Sequence, residues 1–294
     1  MRYPRRDEGA AAEPMKLIPG VILGGPIASR EPEDFCALVA SAGIAGVEVC
    51  TGQLGAAEPE ALAGFMRGWD AATAAHGLGI PSLNCSLPPE RRDDLRAVFR
   101  VAADRGIRIV KVDVSPYESR EPYEALLATA RSHWAALVPM AREFGLKAVA
   151  EVHPRIVCHS PSAMRRMLDG LPPDAVGAIL DPGNMVVEGW EDLHEAVDIL
   201  GPYLAHLHVK NAAWAPDPGQ RPPWREIATA LDGGLVDWFE ACRELARVGF
   251  EGFGILEFLR DYMDNREWIA RDVAHLMAAA QAAGLAAAGP VPEQ

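Results

Sequence analysis

Short apolar runs alternate with longer stretches of helical spacing along most of the chain. The runs are rich in Val, Ile and Leu and are bounded by Gly or Pro, which is typical of parallel strands buried on both faces. Eight such runs are present, at residues 17–23, 46–50, 79–85, 107–114, 146–152, 176–181, 204–210 and 252–258.

The stretches between these runs place apolar residues three and four positions apart, as the buried face of a helix requires. Clear examples are Leu62, Phe65, Met66 and Trp69, and then Leu126, Leu127, Ala130 and Trp134. Several stretches end on a glycine just before the next run, where glycine supplies the left-handed residue that closes a helix.

Eight β-then-α units predict a single-domain α/β protein, a (β/α)8 TIM barrel over residues 16–284. Residues 1–15 and 285–294 are expected to form an N-terminal and a C-terminal tail. A doubly wound sheet is the alternative architecture. It is disfavoured because no Gly-x-Gly-x-x-Gly follows the first run and no Gly-Lys-Ser/Thr motif occurs.

Composition narrows the class of protein. The net charge of −13 disfavours a nucleic-acid partner, since an acidic surface repels phosphates. Five scattered cysteines without a CxxC spacing indicate reduced thiols and a cytoplasmic protein. No segment approaches about 18 uninterrupted apolar residues, and the first 14 residues lack the apolar core of a signal peptide, so no membrane partner is expected.

Four consecutive predicted strands, the fifth to the eighth, each carry a metal-ligating residue near their carboxyl end, where TIM barrels keep their active sites. These residues are Glu151, Asp181, His208 and Glu257. Three carboxylates gathered without a cation would repel one another, and a divalent metal removes that conflict. The mixed oxygen and nitrogen donors suit Mn²⁺, with Mg²⁺, Co²⁺ or Zn²⁺ as alternatives.

Other polar residues near strand ends have two interpretations each. His206 lies two positions before His208 and shares its face, and we interpret it as a hydrogen-bonded core histidine. Lys210 and Asn84 are candidate substrate contacts at the mouth. Lys111 either contacts substrate or pairs internally with Asp113, which lies on the same face. Glu48 either touches substrate or holds neighbouring side chains.

Several motifs resemble the xylose-isomerase-like TIM-barrel superfamily, which includes sugar epimerases, hydroxypyruvate isomerases, inosose dehydratases and endonuclease IV. They are AEVHP around Glu151, LDPGNM at Asp181, AHLHVKN at His208, GILEF at Glu257, and the stretch 234–252. The resemblance covers residues 16–284. It implies that Glu151, Asp181, His208 and Glu257 bind one divalent metal, and that Glu151 and Glu257 are the catalytic acid and base.

Two departures from the superfamily pattern refine this expectation. An Asn-Arg-Phe-Glu-like stretch often follows the first glutamate in sugar epimerases, whereas this chain has HPRIVCHS. Epimerisation of a free ketohexose is therefore disfavoured, and His153 and Arg155 become the candidate substrate contacts. Asn184 stands where many members carry a histidine, which argues against the nuclease branch and makes Asn184 another candidate contact.

The sequence therefore predicts a metal-dependent isomerase or epimerase of a small polyhydroxylated carbonyl compound, with proton transfer through a metal-stabilised enediolate. A lyase using the same enolate chemistry is the alternative, either inosose-dehydratase-like or eliminating from a 3-keto sugar glycoside. A non-catalytic sugar-binding barrel is the third hypothesis. The long loop 211–234 is expected to cover the mouth or to form a contact between subunits, and the chain is compatible with a homo-oligomer.

Overall fold

The computed structural model describes residues 16–22, 30–52, 54–55, 59–117, 121–257 and 266–287. Its strands, in chain order, are β1 (Lys16–Ile22), β2 (Gly46–Gly52), β3 (Ser82–Cys85), β4 (Ile109–Lys111), β5 (Lys147–Glu151), β6 (Val176–Leu180), β7 (Leu204–Val209), β8 (Asn211–Pro216), β9 (Trp224–Thr229), β10 (Gly252–Leu256) and β11 (Ala286–Ala287).

Eight of these strands close into a parallel barrel. Strands β1 to β7 pair in chain order, β10 pairs with β7, and β10 also pairs with β1 over Leu17↔Gly252 to Val21↔Leu256. The predicted TIM barrel is confirmed, and all eight predicted runs contain a barrel strand. The ends of the first and last runs, Leu23 and Phe258, lie outside the described residues.

Helices cover the outside of the barrel. They are α1 (Pro32–Ser41), α2 (Pro59–Ala75), α3 (Arg92–Ala103), α4 (Tyr123–Ala135), α5 (Val138–Phe144), α6 (Pro161–Leu168), α7 (Pro182–Val187), α8 (Leu193–Leu200), α9 (Trp238–Arg247) and α10 (Arg266–Ala282). The predicted helical glycines adopt positive φ, as a closing residue requires: Gly43, Gly77, Gly106, Gly145 and Gly249. No described helix is long and apolar enough to cross a membrane.

The apolar core lies between the sheet and these helices. Its largest fully buried side chains include Trp69 from α2, Trp134 from α4 and Trp238 from α9. The five cysteines, all within the described residues, form no disulfide bond, as expected, and four of them are buried.

Three segments differ in detail from the sequence prediction. The segment 211–234 is not an irregular loop, because β8 and β9 form an antiparallel hairpin registered from Asn211↔Thr229 to Pro216↔Trp224. β3 starts at Ser82 rather than residue 79, since Pro81 has no N–H to donate to a ladder and Gly79 makes only an isolated bridge to Gly46. The predicted C-terminal tail begins with a pairing, because β11 lies beside β1.

Candidate metal centre and cavity

The four predicted metal ligands meet at the carboxyl end of the barrel. Glu151 is the last residue of β5, Asp181 follows β6, His208 lies in β7 and Glu257 follows β10. One donor atom of each lies within 4.8 Å of the others. The four side chains therefore lie together at this end of the barrel, as predicted from the strand ends, and their binding of a metal stays a prediction.

His208 is fully buried between three carboxylates. Its Nδ1 atom lies 3.2 Å from both Glu151 Oε1 and Glu257 Oε1, and its Nε2 atom lies 3.2 Å from Glu48 Oε1 without hydrogen-bond geometry. Burial alone would lower the pKa of His208, but Glu48 and Glu151 raise it well above its usual value. The ring is therefore held in a strongly negative environment.

Lys210 brings a positive charge to the same carboxylates. Its Nζ atom lies 2.5 Å from Glu257 Oε2, 2.8 Å from Asp181 Oδ2 and 4.0 Å from Glu151 Oε1. Burial alone would lower the pKa of Lys210, but Asp181 and Glu257 raise it above its usual value. The ammonium therefore stays charged.

Both catalytic candidates, Glu151 and Glu257, are ionised. Burial alone would raise the pKa of each, but His208 holds that of Glu151 well below its usual value. Lys210, and after it His208, lowers the pKa of Glu257. The positive charges around these two groups therefore favour their ionised form.

Asp181 and Asn184 are fixed by the start of α7. Pro182 is the first residue of this helix. Asp181 Oδ1 caps the helix by accepting a hydrogen bond from the Asn184 N–H at 2.9 Å. The Asn184 amide donates to Glu151 Oε1 and Asp181 Oδ2, both at 2.9 Å. Asn184 thus positions two of the candidate ligands.

A second polar layer lies deeper in the barrel, below His208. Glu48 Oε2 accepts a hydrogen bond from Ser82 at 2.6 Å and lies 3.0 Å from His206 Nε2, while Glu48 Oε1 accepts from Asn84 at 3.1 Å. The prediction that His206 is a hydrogen-bonded core histidine is confirmed. Burial alone would raise the pKa of Glu48, but His208 and His206 hold it well below its usual value.

This layer was only partly predicted from the sequence. Asn84 and Glu48 were identified as polar strand residues, but their contact and the role of Ser82 were not. Nothing in the local sequence marks Ser82, because it meets Glu48 and His206 only across the barrel interior.

Lys111 makes the internal ion pair that was one of its two predicted roles, and its contact with substrate stays a prediction. Its Nζ atom donates to Asp113 Oδ1 at 2.7 Å and lies 3.8 Å from Glu151 Oε2. Burial alone would lower the pKa of Lys111, but Glu151 and Asp113 raise it above its usual value. Its cationic group therefore adds to the positive field beside Glu151.

A cavity of about 290 Å³ opens outward from Lys210 and Glu257. His153 and Arg155 lie on one wall and the hairpin residues Glu226 and Ala228 on another, with Asn184 near the base. The His153 Nδ1 atom lies 2.8 Å from the Pro154 carbonyl oxygen, to which it donates a hydrogen bond. The predicted contacts His153, Arg155, Asn184 and Lys210 thus line one cavity, while Asn84 and Lys111 are not among its lining residues.

Among the residues that the structure describes, two groups of side chains could hold a metal ion: Glu151, Asp181, His208 and Glu257, and, deeper, Glu48, His206 and His208. The upper group fits a divalent cation better. Its three carboxylates, Lys210 and such a cation together carry no net formal charge. In addition, the Nδ1 atom of His208 faces two carboxylate oxygens, and one Nδ1–H cannot satisfy both fully. In the deeper group both Glu48 oxygens already accept hydrogen bonds.

Comparison with known proteins identifies the relatives of this chain. The family model described as xylose isomerase-like TIM barrel matches residues 36–279. A search of curated protein sequences finds no significant match.

Many solved structures share the fold. A xylose isomerase-like TIM barrel protein from Mycobacterium smegmatis in complex with magnesium is 17% identical, with 92% of this chain and 98% of that chain covered and a TM-score of 0.68. The 3-keto-D-glucoside 4-epimerase from E. coli is 17% identical, with 90% and 99% covered and a TM-score of 0.66. The probable 3-DHS dehydratase from Bacillus anthracis is 13% identical, with 88% and 98% covered and a TM-score of 0.65. At these identities the likeness is one of fold.

Proposed function

The chain belongs to the family of xylose isomerase-like TIM barrels, and we propose that it is a divalent-metal-dependent isomerase or epimerase of a small sugar-like hydroxy-carbonyl compound. One observation carries the proposal. Three buried or nearly buried carboxylates and one imidazole from four adjacent strands converge with donor atoms within 4.8 Å of one another, and one of them, Glu257, lines the cavity.

The proposed ligands are Glu151, Asp181, His208 and Glu257, with Mn²⁺ as the preferred metal and Mg²⁺, Co²⁺ or Zn²⁺ as alternatives. The magnesium complex of a structural neighbour supports a divalent cation in this fold. Such a cation would supply positive charge to the carbonyl and hydroxyl oxygens of the substrate.

Glu151 and Glu257 are the proposed acid and base. Glu257, which follows β10, lines the cavity, and Glu151, at the end of β5, accepts a hydrogen bond from the cavity-lining Asn184. The neighbouring positive charges lower the pKa of both glutamates. One ionised carboxylate removes a proton from the carbon next to the carbonyl and becomes a carboxylic acid. That acid returns the proton to the neighbouring carbon, or the opposite carboxylate first takes up a proton from solvent and delivers it to the opposite face. Lys210 and Asn184 keep these carboxylates in place.

Exchange of the substrate proton for solvent deuterium tests the chemistry directly. We expect the purified protein to hold one divalent metal per chain and to incorporate deuterium from D₂O into 3-keto sugars or inososes, and we expect EDTA to stop the exchange. Glu257→Gln cannot accept the proton and should slow the exchange by about 100-fold or more. The matched control is Glu143→Gln, an exposed glutamate on α5 that pairs with Arg96 and should leave the exchange unchanged.

Metal analysis gives the result that would contradict the proposal. If the protein holds no stoichiometric divalent metal and Glu151→Gln does not alter the binding of any added metal, the catalytic proposal fails. A non-catalytic sugar-binding barrel would then be the better description.

A lyase is the second candidate, and Lys210 is the observation that favours it. Its ammonium lines the cavity, 2.5 Å from Glu257, and its charge and N–H donors can stabilise the negative charge on a departing hydroxyl or alkoxide oxygen. The structural likeness to a probable dehydratase supports the same reading. Loss of water or of an aglycone in the D₂O experiment identifies the lyase, while deuterium incorporation without such loss identifies the isomerase.

A further inference from the structure

The outer half of the cavity carries two charged side chains that the proposed chemistry does not use. Arg155 and Glu226 lie on different walls, and neither side chain makes an ion pair or hydrogen bond with any residue that the structure describes. A guanidinium supplies only donors and a carboxylate only acceptors. Hydroxyl groups both donate and accept, so this pair matches a polyol.

The backbone holds Arg155 at this wall. Its φ of 64° lies in the left-handed region, which is uncommon for a residue other than glycine. Two hydrogen bonds fix this conformation: the Arg155 N–H donates to Glu188 Oε2, and the Arg155 carbonyl accepts from the Tyr117 N–H, both at 2.8 Å. A strained residue held in this way beside a cavity points to a binding role.

The wall formed by the hairpin continues outward from Glu226. Strand side chains alternate between two faces, so Ala228, Glu226 and Trp224 of β9 share one face, at steps of about 6.6 Å. Ala228, Ile227 and Glu226 all border the cavity, and Trp224 lies further along the face that carries Ala228 and Glu226. The Trp224 side chain is 50% exposed.

This face of the hairpin is turned toward the barrel. Trp214 on β8 lies directly opposite Glu226, and its indole Nε1–H donates to the carbonyl oxygen of Val186 in α7 at 3.0 Å. The contact anchors the hairpin beside the cavity, so Trp224 lies beyond the cavity on the barrel-facing side. An exposed indole there offers an apolar surface to a ligand that extends out of the cavity.

We propose that Arg155, Glu226 and Trp224 form an outer subsite that binds a second ring of the substrate. This inference rests on the proposed function, and it makes the substrate a glycoside rather than a free monosaccharide. The inner ring meets the metal-ligand cluster, its outer hydroxyls contact Arg155 and Glu226, and the aglycone or second sugar packs on Trp224. Glu226 and the net charge of −13 favour a neutral second ring over a phosphorylated one.

The test compares a free 3-keto sugar with its phenyl glycoside by deuterium exchange. For wild type we expect a higher kcat/KM for the glycoside. In Trp224→Ala the ratio of the two kcat/KM values should fall about tenfold, mainly through KM, as loss of one aromatic contact predicts. Trp224→Tyr keeps a ring and should restore most of the ratio. The control is Trp190→Ala: that tryptophan is 59% exposed but borders a different crevice, so the ratio should stay at the wild-type value.

The outcomes separate this inference from the proposed function. Exchange by wild type with an unchanged ratio in Trp224→Ala overturns the outer subsite and leaves the enzymatic proposal intact. A change in oligomeric state on size-exclusion chromatography with an unchanged ratio makes the hairpin a contact between copies of the chain and also overturns it. If no exchange occurs at all, titration of the metal-loaded protein with phenyl glucoside by calorimetry decides: binding that Trp224→Ala weakens supports the subsite, and binding equal in both proteins, or none, overturns it.

Discussion

The buried carboxylate of Glu48 lies against His208, one of the candidate metal ligands. A metal on Nδ1 of His208 requires the proton on Nε2, and the Oε1 atom of the ionised Glu48 lies 3.2 Å from that nitrogen. Carboxylates that face the second nitrogen of a ligating histidine fix its tautomer and its orientation. We therefore predict that Glu48 positions His208 for metal binding.

Replacing this carboxylate tests that role. We expect Glu48→Gln to weaken Mn²⁺ binding by about 10- to 100-fold, because an amide neither orients nor polarises the imidazole as a carboxylate does. Competition with a chelator measures the affinity, and circular dichroism checks that the variant is folded. Glu124→Gln, which removes an exposed partner of Arg166 on α4, is the control. A folded Glu48→Gln protein that binds Mn²⁺ as tightly as wild type would reduce Glu48 to a packing role.

At the same scale, the sequence predicts positions along a strand but not contacts across the barrel. The spacing of two places His206 and His208 on one face, and their rings lie 5.8 Å apart in the structure. Glu48 is 158 positions from His206 in the chain, and their meeting depends on the stagger of the closed sheet. The local pattern of apolar and polar residues does not determine how far neighbouring strands are shifted relative to one another.

At the scale of elements, the first turn of α7 and the end of β7 approach closely enough to need a glycine. A Cβ atom added at Gly183 would lie 2.5 Å from Lys210 Cγ and 2.9 Å from the Lys210 carbonyl oxygen. The backbone of Lys210 cannot yield without moving the side chain that pairs with Asp181 and Glu257. The glycine in LDPGNM therefore lets the helix and the site pack together.

We expect Gly183→Ala to lower the free energy of unfolding by roughly 1–3 kcal/mol, because the added methyl group overpacks this contact. Thermal and chemical denaturation measure the loss. Gly64→Ala on α2 is the matched control: its added Cβ meets only Arg67 Nη2, at 3.5 Å, and it should gain up to about 1 kcal/mol in helix stability. Equal effects of the two substitutions would contradict the close approach of α7 to Lys210.

The hairpin is the element that the sequence did not predict. Residues 211–234 contain several prolines and glycines, which favour a loop, and neither strand shows a regular apolar alternation. In the structure β8 and β9 are fixed by their pairing with each other and by the anchor of Trp214 on α7. Such tertiary support overrides weak local preference.

For the whole molecule, the closed parallel sheet explains why the barrel was predictable. Helices cover the outer face of the barrel, and each barrel strand pairs with a neighbouring strand on both sides. Each strand therefore appears in the sequence as a short apolar run. Glycine at the ends of helices then separates the units. The few polar residues at strand ends interrupt that pattern, and four of them form the candidate metal centre.

These buried polar groups also determine how stability depends on pH. Burial raises the pKa of Asp181 to about 7 even though Lys210 opposes the shift. The pKa of His208 is also raised, because Glu48 and Glu151 outweigh its burial. In both cases the folded metal-free protein binds a proton more readily than the unfolded chain. Glu48, Glu151 and Glu257 have lowered pKa values, and their stabilising contribution is present above the unfolded pKa and lost only in acid.

We therefore expect the free energy of unfolding of the metal-free protein to fall as pH rises from about 5 to about 8. The contribution of Asp181 is fully present below its unfolded pKa of about 3.9. It is lost as pH rises through the folded value of about 7. That of His208 begins to fall above its unfolded pKa of about 6.5, and each group gives a slope of at most about 1.4 kcal/mol per pH unit.

Metal binding should oppose this trend, because a cation needs Asp181 and His208 deprotonated and displaces their protons. Guanidinium unfolding at pH 5 to 8, with EDTA or with Mn²⁺, measures both curves, and the stabilisation by Mn²⁺ should grow with pH. Asp181→Asn cannot titrate and should flatten the metal-free curve below pH 7. A metal-free stability that rises over this range would show that Asp181 is ionised in the folded protein and that Lys210, rather than burial, dominates at that carboxylate.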